Sequence, residues 1–217
     1  MIKIAPSIAS ADQSRLGWAV QTAERAGADL IHLDIEDGVF IPNLTFGPTV
    51  IRHLRPLTEM PFDVHLEVEE PERYFAQVVA AGANIVTVQV EATRFPYRAV
   101  FLLKELGVKT GLAFNAATPL DLLPAVIEHL DVIHLMTAEP NGMAAQFLPG
   151  LITKIKEAKE ICQGRPIEIE VDGGINLDNA HEVTEAGATI LVAGRAVWGS
   201  EDPVEAVPAL RRAAEGN

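Results

Sequence analysis

Eight short apolar runs, spread along the whole chain and separated by amphipathic stretches, restrict this sequence to an alternating β/α architecture. The runs are 2–8, 30–35, 62–68, 85–90, 110–114, 132–136, 167–171 and 190–193, each short enough for a buried parallel strand. Helical patterns occupy 13–25, 71–80, 97–106, 120–130, 150–161, 177–186 and 203–214. The punctuation repeats: Ala26-Gly27-Ala28, Ala81-Gly82-Ala83, Leu106-Gly107-Val108 and Ala186-Gly187-Ala188 each close a helix and open a strand. Glycine at these junctions permits the left-handed C-cap that turns the chain back to the sheet. Eight such units without an interdomain linker predict an α/β chain closed into a single (β/α)8 TIM barrel over residues 1–217. The competing open, doubly wound sheet usually carries a glycine-rich first turn. Here that turn is Ala5-Pro6-Ser7-Ile8, and no GxGxxG follows it.

Charge narrows the partners. A net charge of −13 argues against nucleic acid, whose phosphates need a basic surface, and against an anionic membrane face. It leaves room for a small anionic substrate at a local positive site. The one cysteine, Cys162, rules out an intrachain disulfide and fits a reducing, cytoplasmic location. The opening residues MIKIAPSIAS have no long apolar core of a secretory signal. No apolar run approaches the ~20 residues of a membrane span.

Several strands carry polar residues that a buried strand should not contain. Strand side chains alternate between faces. In Ile31-His32-Leu33-Asp34-Ile35-Glu36 the apolar set belongs against the helices, so His32, Asp34 and Glu36 face the barrel interior. The same parity turns Asp63, His65 and Glu67 inward on the third strand, and Glu168, Glu170 and Asp172 on the seventh. Burying so many ionisable groups is costly unless they are paired or bind metal. Asp34, Glu36, His65, Glu67 and Asp172 lie nearest the C-terminal mouth, where barrel active sites lie. A lone inward His or Asp is more often a satisfied core group; several at matched heights on three strands point instead to a nitrogen/oxygen site for a divalent cation. Glu168 and Glu170, further back, read as structural, and His53, His129 and His181 as solvated.

The motifs carry a resemblance as well. Ala5-Pro6-Ser7-Ile8, His32-Leu33-Asp34 with Asp37-Gly38, Phe40-Ile41-Pro42-Asn43-Leu44-Thr45-Phe46-Gly47-Pro48, Asp63-Val64-His65-Leu66, Val90-Glu91-Ala92-Thr93, Thr118-Pro119 and Glu168-Ile169-Glu170-Val171-Asp172-Gly173-Gly174-Ile175 together resemble the ribulose-phosphate 3-epimerase family over nearly the whole chain. The resemblance implies one divalent metal ion (Zn, Fe, Mn or Co) held by His32, Asp34, His65 and Asp172. It implies Asp34 and Asp172 as the acid/base pair on opposite faces of the substrate, with Ser7 beside it. The implied reaction is epimerisation at C3 of a small-molecule ketose phosphate, ribulose 5-phosphate and xylulose 5-phosphate by default. A homo-oligomer is implied too.

The chain also departs from the family pattern. Glu36 and Glu67 stand where the family usually has methionines that cap the metal and enediolate, while Met136 keeps the third. Like charges raise each other's pKa, and ionised glutamates there would disfavour an enediolate unless they bind a cation or substrate hydroxyls. The loop that normally reads PGFGGQ is Pro140-Asn141-Gly142-Met143-Ala144-Ala145-Gln146, with Gly142 still counted as a substrate contact. Gln89 replaces a histidine on the fourth strand. Gly194-Arg195 replaces Gly-Ser after the eighth, so Arg195 is either a further phosphate ligand or a helix-surface residue. Gly173, Gly174 and Gly194 retain the phosphate side of the site. Glu36, Glu67 and Gln89 are therefore candidate specificity residues. The alternatives are an epimerase of a different phosphorylated or free ketose, and a sugar- or metal-binding protein without turnover.

Overall fold

The computed structural model describes residues 2–139 and 146–216. Among them, eight parallel strands form one sheet: β1 Lys3–Pro6, β2 Ile31–Glu36, β3 Phe62–Glu67, β4 Ile85–Gln89, β5 Lys109–Phe114, β6 Val132–Met136, β7 Glu168–Asp172 and β8 Ile190–Ala193. Hydrogen bonding runs in the order β1-β8-β7-β6-β5-β4-β3-β2. An isolated parallel bridge between Ser7 and His32 brings β1 back to β2 and nearly closes the barrel. The expected (β/α)8 TIM barrel is thus the fold observed.

The outward strand residues, among them Ile31, Leu33, Val64, Val88, Leu112, Leu135 and Val171, pack against the helices in the main apolar core. The helices are α1 Leu16–Arg25, α2 Pro48–Leu54, α3 Phe75–Ala81, α4 Pro96–Glu105, α5 Leu123–Val126, α6 Ile152–Cys162, α7 Ala180–Ala186, α8 Arg195–Trp198 and α9 Pro203–Ala214. Gly27, Gly82, Gly107 and Gly187, the residues at the four repeated junctions, all have positive φ. No described helix is long and apolar enough to cross a membrane.

Inside the barrel the filling changes with height. Ala5, Leu30, Ile85, Val132, Ile190 and Val192 form a small apolar plug towards the N-terminal end. Lys3 and Glu168 pair beside it at 2.5 Å. Above the plug lies a polar layer of His32, Asp63, His134 and Glu170, all fully buried. The mouth above that layer opens into the site.

Candidate active site

The register of β2 and β3 builds the centre of the site. His32 is paired with Asp63, Asp34 with His65, and Glu36 with Glu67, so six inward groups rise in three steps from two neighbouring strands. Asp172 ends β7, in register with Met136 on β6. The result brings His32, Asp34, His65 and Asp172 together: one donor atom from each lies within 4.8 Å of all the others. His32 Nε2 is 3.0 Å from Asp34 Oδ1 and 3.8 Å from Asp172 Oδ2, and His65 Nδ1 is 3.4 Å from Asp34 Oδ1.

These four residues fit a divalent cation. His32 spends its other nitrogen on Asp63, with Nδ1 2.8 Å from Oδ2, so Nε2 and Asp34 Oδ1 face each other across a gap that only a proton or a cation can bridge. Burial opposes a charge on His32, but Asp34 and Asp63 outweigh it and raise its pKa well above the usual imidazole value. Burial likewise pushes Asp34 up, and the two imidazoles overcome it and hold the carboxyl well below the usual range. Asp172 is pushed up to about 7 by burial and by the charge of Asp34. His65 drops to about 4 through burial and the neighbouring charge of His134, which keeps its ring neutral and suited to ligation. His65 Nδ1 has no hydrogen-bond partner among the described residues, while the Gln89 amide sits 3.2 Å from its Nε2. A cation at this point would join an orphaned nitrogen and relieve the repulsion between two aspartates.

The motif residues around the centre hold it in place. Ser7 Oγ donates to Asp34 Oδ2 at 2.5 Å, and the Ser7 carbonyl accepts from the Trp198 indole at 2.7 Å. Thr45 Oγ1 donates to the Asp34 carbonyl and accepts from the Glu36 amide, and Asn43 Nδ2 donates to Glu36 Oε2 at 2.5 Å. Asp37 accepts from the amides of Val39, Phe40 and Glu69, tying the loop after β2 to the loop after β3.

Glu36 and Glu67 do lie at this mouth. Glu67 is buried, and its pKa is raised well above the usual carboxylate value by burial and then by Asp34, Asp172 and Glu36. Glu36 is raised by burial and by Asp34, and hydrogen bonds from Asn43 and Glu67 partly offset this. Both shifts favour the neutral carboxyl, so the pair adds less negative charge than two ordinary surface glutamates would.

On the β7–β8 side a pocket of about 630 Å³ opens between Ser7, Asp34 and Asp172 and the loop residues Gly173, Gly174, Gly194 and Arg195. Gly173 and Gly174 have φ of +121° and +72°, and a Cβ on either would come within 2.5 and 2.4 Å of the backbone nitrogens of Ala138 and Phe147. The glycines let two loops touch beneath this pocket. Arg195 is exposed and is the first residue of α8. Met136 is buried, 3.3 Å from His134 Nε2 through its sulfur. Gly142 lies outside the described residues.

Sequence reasoning missed His134. Its ring stacks on His32 at a centroid distance of 5.7 Å and lies tilted against His65 at 4.3 Å, and its Nδ1 lies 3.0 Å from Glu170 Oε2. Its signal was available: the alternation in Val132-Ile133-His134-Leu135-Met136 that sends Met136 inward sends His134 inward too. Glu168 pairs with Lys3 at the base, as a structural residue should. Glu170 is closer to the chemistry, since it braces His134 and lies 3.6 Å from His32 Nδ1. His53 and His181 are exposed, and His129 contacts Tyr97 at the surface.

Comparison with known proteins adds an independent line. A profile described as the ribulose-phosphate 3 epimerase family matches residues 3–198. The ribulose-phosphate 3-epimerase of Bacillus subtilis (strain 168) is 44% identical over 214 residues, covering 97% of this chain and 99% of its own. That of Escherichia coli (strain K12) is 42% identical over 211 residues, covering 96% and 94%. Among solved structures, orotidine 5'-phosphate decarboxylase from Pyrococcus horikoshii OT3 superposes with a TM-score of 0.71 at 19% identity, covering 99% of this chain and 100% of that one. That last likeness speaks to the fold alone.

Proposed function

The chain belongs to the ribulose-phosphate 3-epimerase family, and from that premise we propose that it interconverts the C3 epimers of a ketose phosphate, D-ribulose 5-phosphate and D-xylulose 5-phosphate by default. Membership makes it an isomerase acting on carbohydrates. The observation that carries the reading is the approach of Asp34 and Asp172, from different strands, to one point flanked by His32 and His65.

The chemistry follows from these groups. A proton α to a ketone is only weakly acidic, so its removal needs a positioned base and stabilisation of the charge left behind. One aspartate takes the C3 proton from one face of the sugar, and the other returns a proton to the opposite face once C3 is planar. Ser7 holds one oxygen of Asp34, which fixes the direction of the other. His32, Asp34, His65 and Asp172 would hold a divalent cation (zinc, iron, manganese or cobalt), which would supply Lewis-acid stabilisation of the developing negative charge. Gly173, Gly174 and Gly194 receive the phosphate, Arg195 adds a charge-assisted contact, and Met136 completes the substrate surface.

The test is direct. Purified protein loaded with each metal in turn should convert ribulose 5-phosphate to xylulose 5-phosphate; a chelator should stop it and added metal restore it. Failure with that substrate and with every other ketose and ketose phosphate would contradict the reading. Glu36, Glu67 and Gln89 support a second reading, a different phosphorylated or free ketose, which matched phosphorylated and free substrates would separate. The reading also includes a cytoplasmic homo-oligomer. Light scattering should then give a multiple of the 23.4 kDa chain mass.

A further inference from the structure

We infer that Glu67 selects the end of the sugar remote from the phosphate, with Oε1 accepting a hydrogen bond from the C1 hydroxyl of a ketose phosphate; the inference rests on the epimerase reading above. Glu67 is only 3% exposed, and its Oε1 has no hydrogen-bond partner among the described residues. A buried carboxyl oxygen left unpaired is costly, so a ligand donor there recovers what folding gives up. Its other oxygen lies 4.0 Å from His65 Nδ1, at the edge of the proposed metal centre.

Position selects the donor. In the strand order β3 lies four places from β7, directly across an eight-stranded barrel. The proposed phosphate cradle follows β7 and β8, and Asp34 and Asp172 line the pocket on that side. A 2-ketose 5-phosphate anchored by its phosphate on that side, with C3 between the aspartates, directs C1 towards β3. Glu36 stands in register beside Glu67 on β2, so an anionic group there would meet carboxyl oxygens on two strands. An apolar group would leave Oε1 unpaired. A hydroxyl satisfies the atom without adding charge. Asn43 and the Thr45 hydroxyl hold Glu36 in place beside it.

The experiment compares xylulose 5-phosphate with its 1-deoxy analogue, which keeps the phosphate and the C3 centre but lacks the C1 hydroxyl. Solvent deuterium exchange at C3 is measured for both. Wild-type protein should prefer the hydroxylated compound by about tenfold or more in kcat/KM, because a site built around a hydroxyl rejects an analogue lacking it. In Glu67→Met the gap should fall to within about threefold, with the loss borne by the hydroxylated substrate, while Glu67→Gln, which keeps an acceptor oxygen, should retain most of it. Metal content should stay at one ion per chain in all three proteins. A wild-type gap under about threefold overturns the inference whatever the variants do. So does a gap unchanged in a folded, metal-loaded Glu67→Met protein, or a second bound ion that this substitution removes. Exchange of neither compound by wild type sinks the epimerase reading and this inference with it; equal exchange of both sinks only the assignment of Glu67.

Discussion

Asp63 is fully buried and lies below the pocket, yet it sets the orientation of His32 by accepting from Nδ1 at 2.8 Å. Partners of this kind fix a histidine's tautomer and turn its free nitrogen towards the metal. Asp63→Ala should therefore lower affinity for the activating metal by about 10–100-fold in a competitive chelator titration, with Asp34 and Asp172 untouched. Affinity within about twofold of wild type would remove Asp63 from the site. At this scale much was legible in the residues. Strand parity alone turned His32, Asp34, His65 and Asp172 inward, because each shares a strand with an unbroken alternating apolar set. The ligation roles came from resemblance, since parity cannot say which inward groups meet. His134 went unread because its strand has only one ionisable residue, and one inward histidine resembles an ordinary satisfied core group.

The strands matched their apolar runs more closely than the helices matched their amphipathic ones. Strand 2–8 shortens to Lys3–Pro6, because Ser7 turns to reach Asp34 and Ile8 begins a 3-10 turn. Helix 13–25 begins with a 3-10 turn at Gln13–Arg15, capped by Asp12, before α1 proper. Helix 120–130 shrinks to α5 plus a 3-10 turn at Ile127–His129. Helix α2 was not foreseen: its seven residues, Pro48–Leu54, follow a stretch that reads as a motif, and two buried apolar positions are too few to show a period. The four residues of α8 escaped for the same reason. Loop geometry was legible at the glycines, and it predicts a functional effect. A side chain at Gly174 would require an L residue at φ +72° and a Cβ 2.4 Å from the Phe147 nitrogen. Gly174→Ala should raise KM for a phosphorylated ketose by about tenfold or more while metal affinity stays unchanged, measured by steady-state kinetics and chelator titration. An unchanged KM would separate this glycine from the phosphate cradle.

Taken whole, the molecule divides its labour between two ends of one barrel. The base carries stability. Burial raises the Glu168 carboxyl, but hydrogen bonds from Lys3 and Thr189 outweigh it and hold the pKa below 4.5. A carboxyl depressed on folding stabilises above its unfolded value and loses that contribution as pH falls through the folded one. Lys3→Met should thus lower Tm by about 1–3 °C at pH 7, with the difference shrinking below pH 4.5. A difference that does not change with pH would rule out the ion pair as its source. The proposed chemistry belongs to the mouth, and cation binding there should stabilise the folded state: a chelator should lower Tm and metal restore it, with no such response pointing to a site that holds no metal. The claim on which function depends is that two aspartates serve opposite faces of C3. Nuclear magnetic resonance of ribulose 5-phosphate incubated with metal-loaded protein in deuterium oxide tests it most directly. Wild type should place solvent deuterium at C3 of the xylulose product, and Asp172→Asn should cut epimerisation by about 10²–10⁴-fold. Product formed without deuterium at C3, or full turnover by folded Asp172→Asn protein, would contradict it.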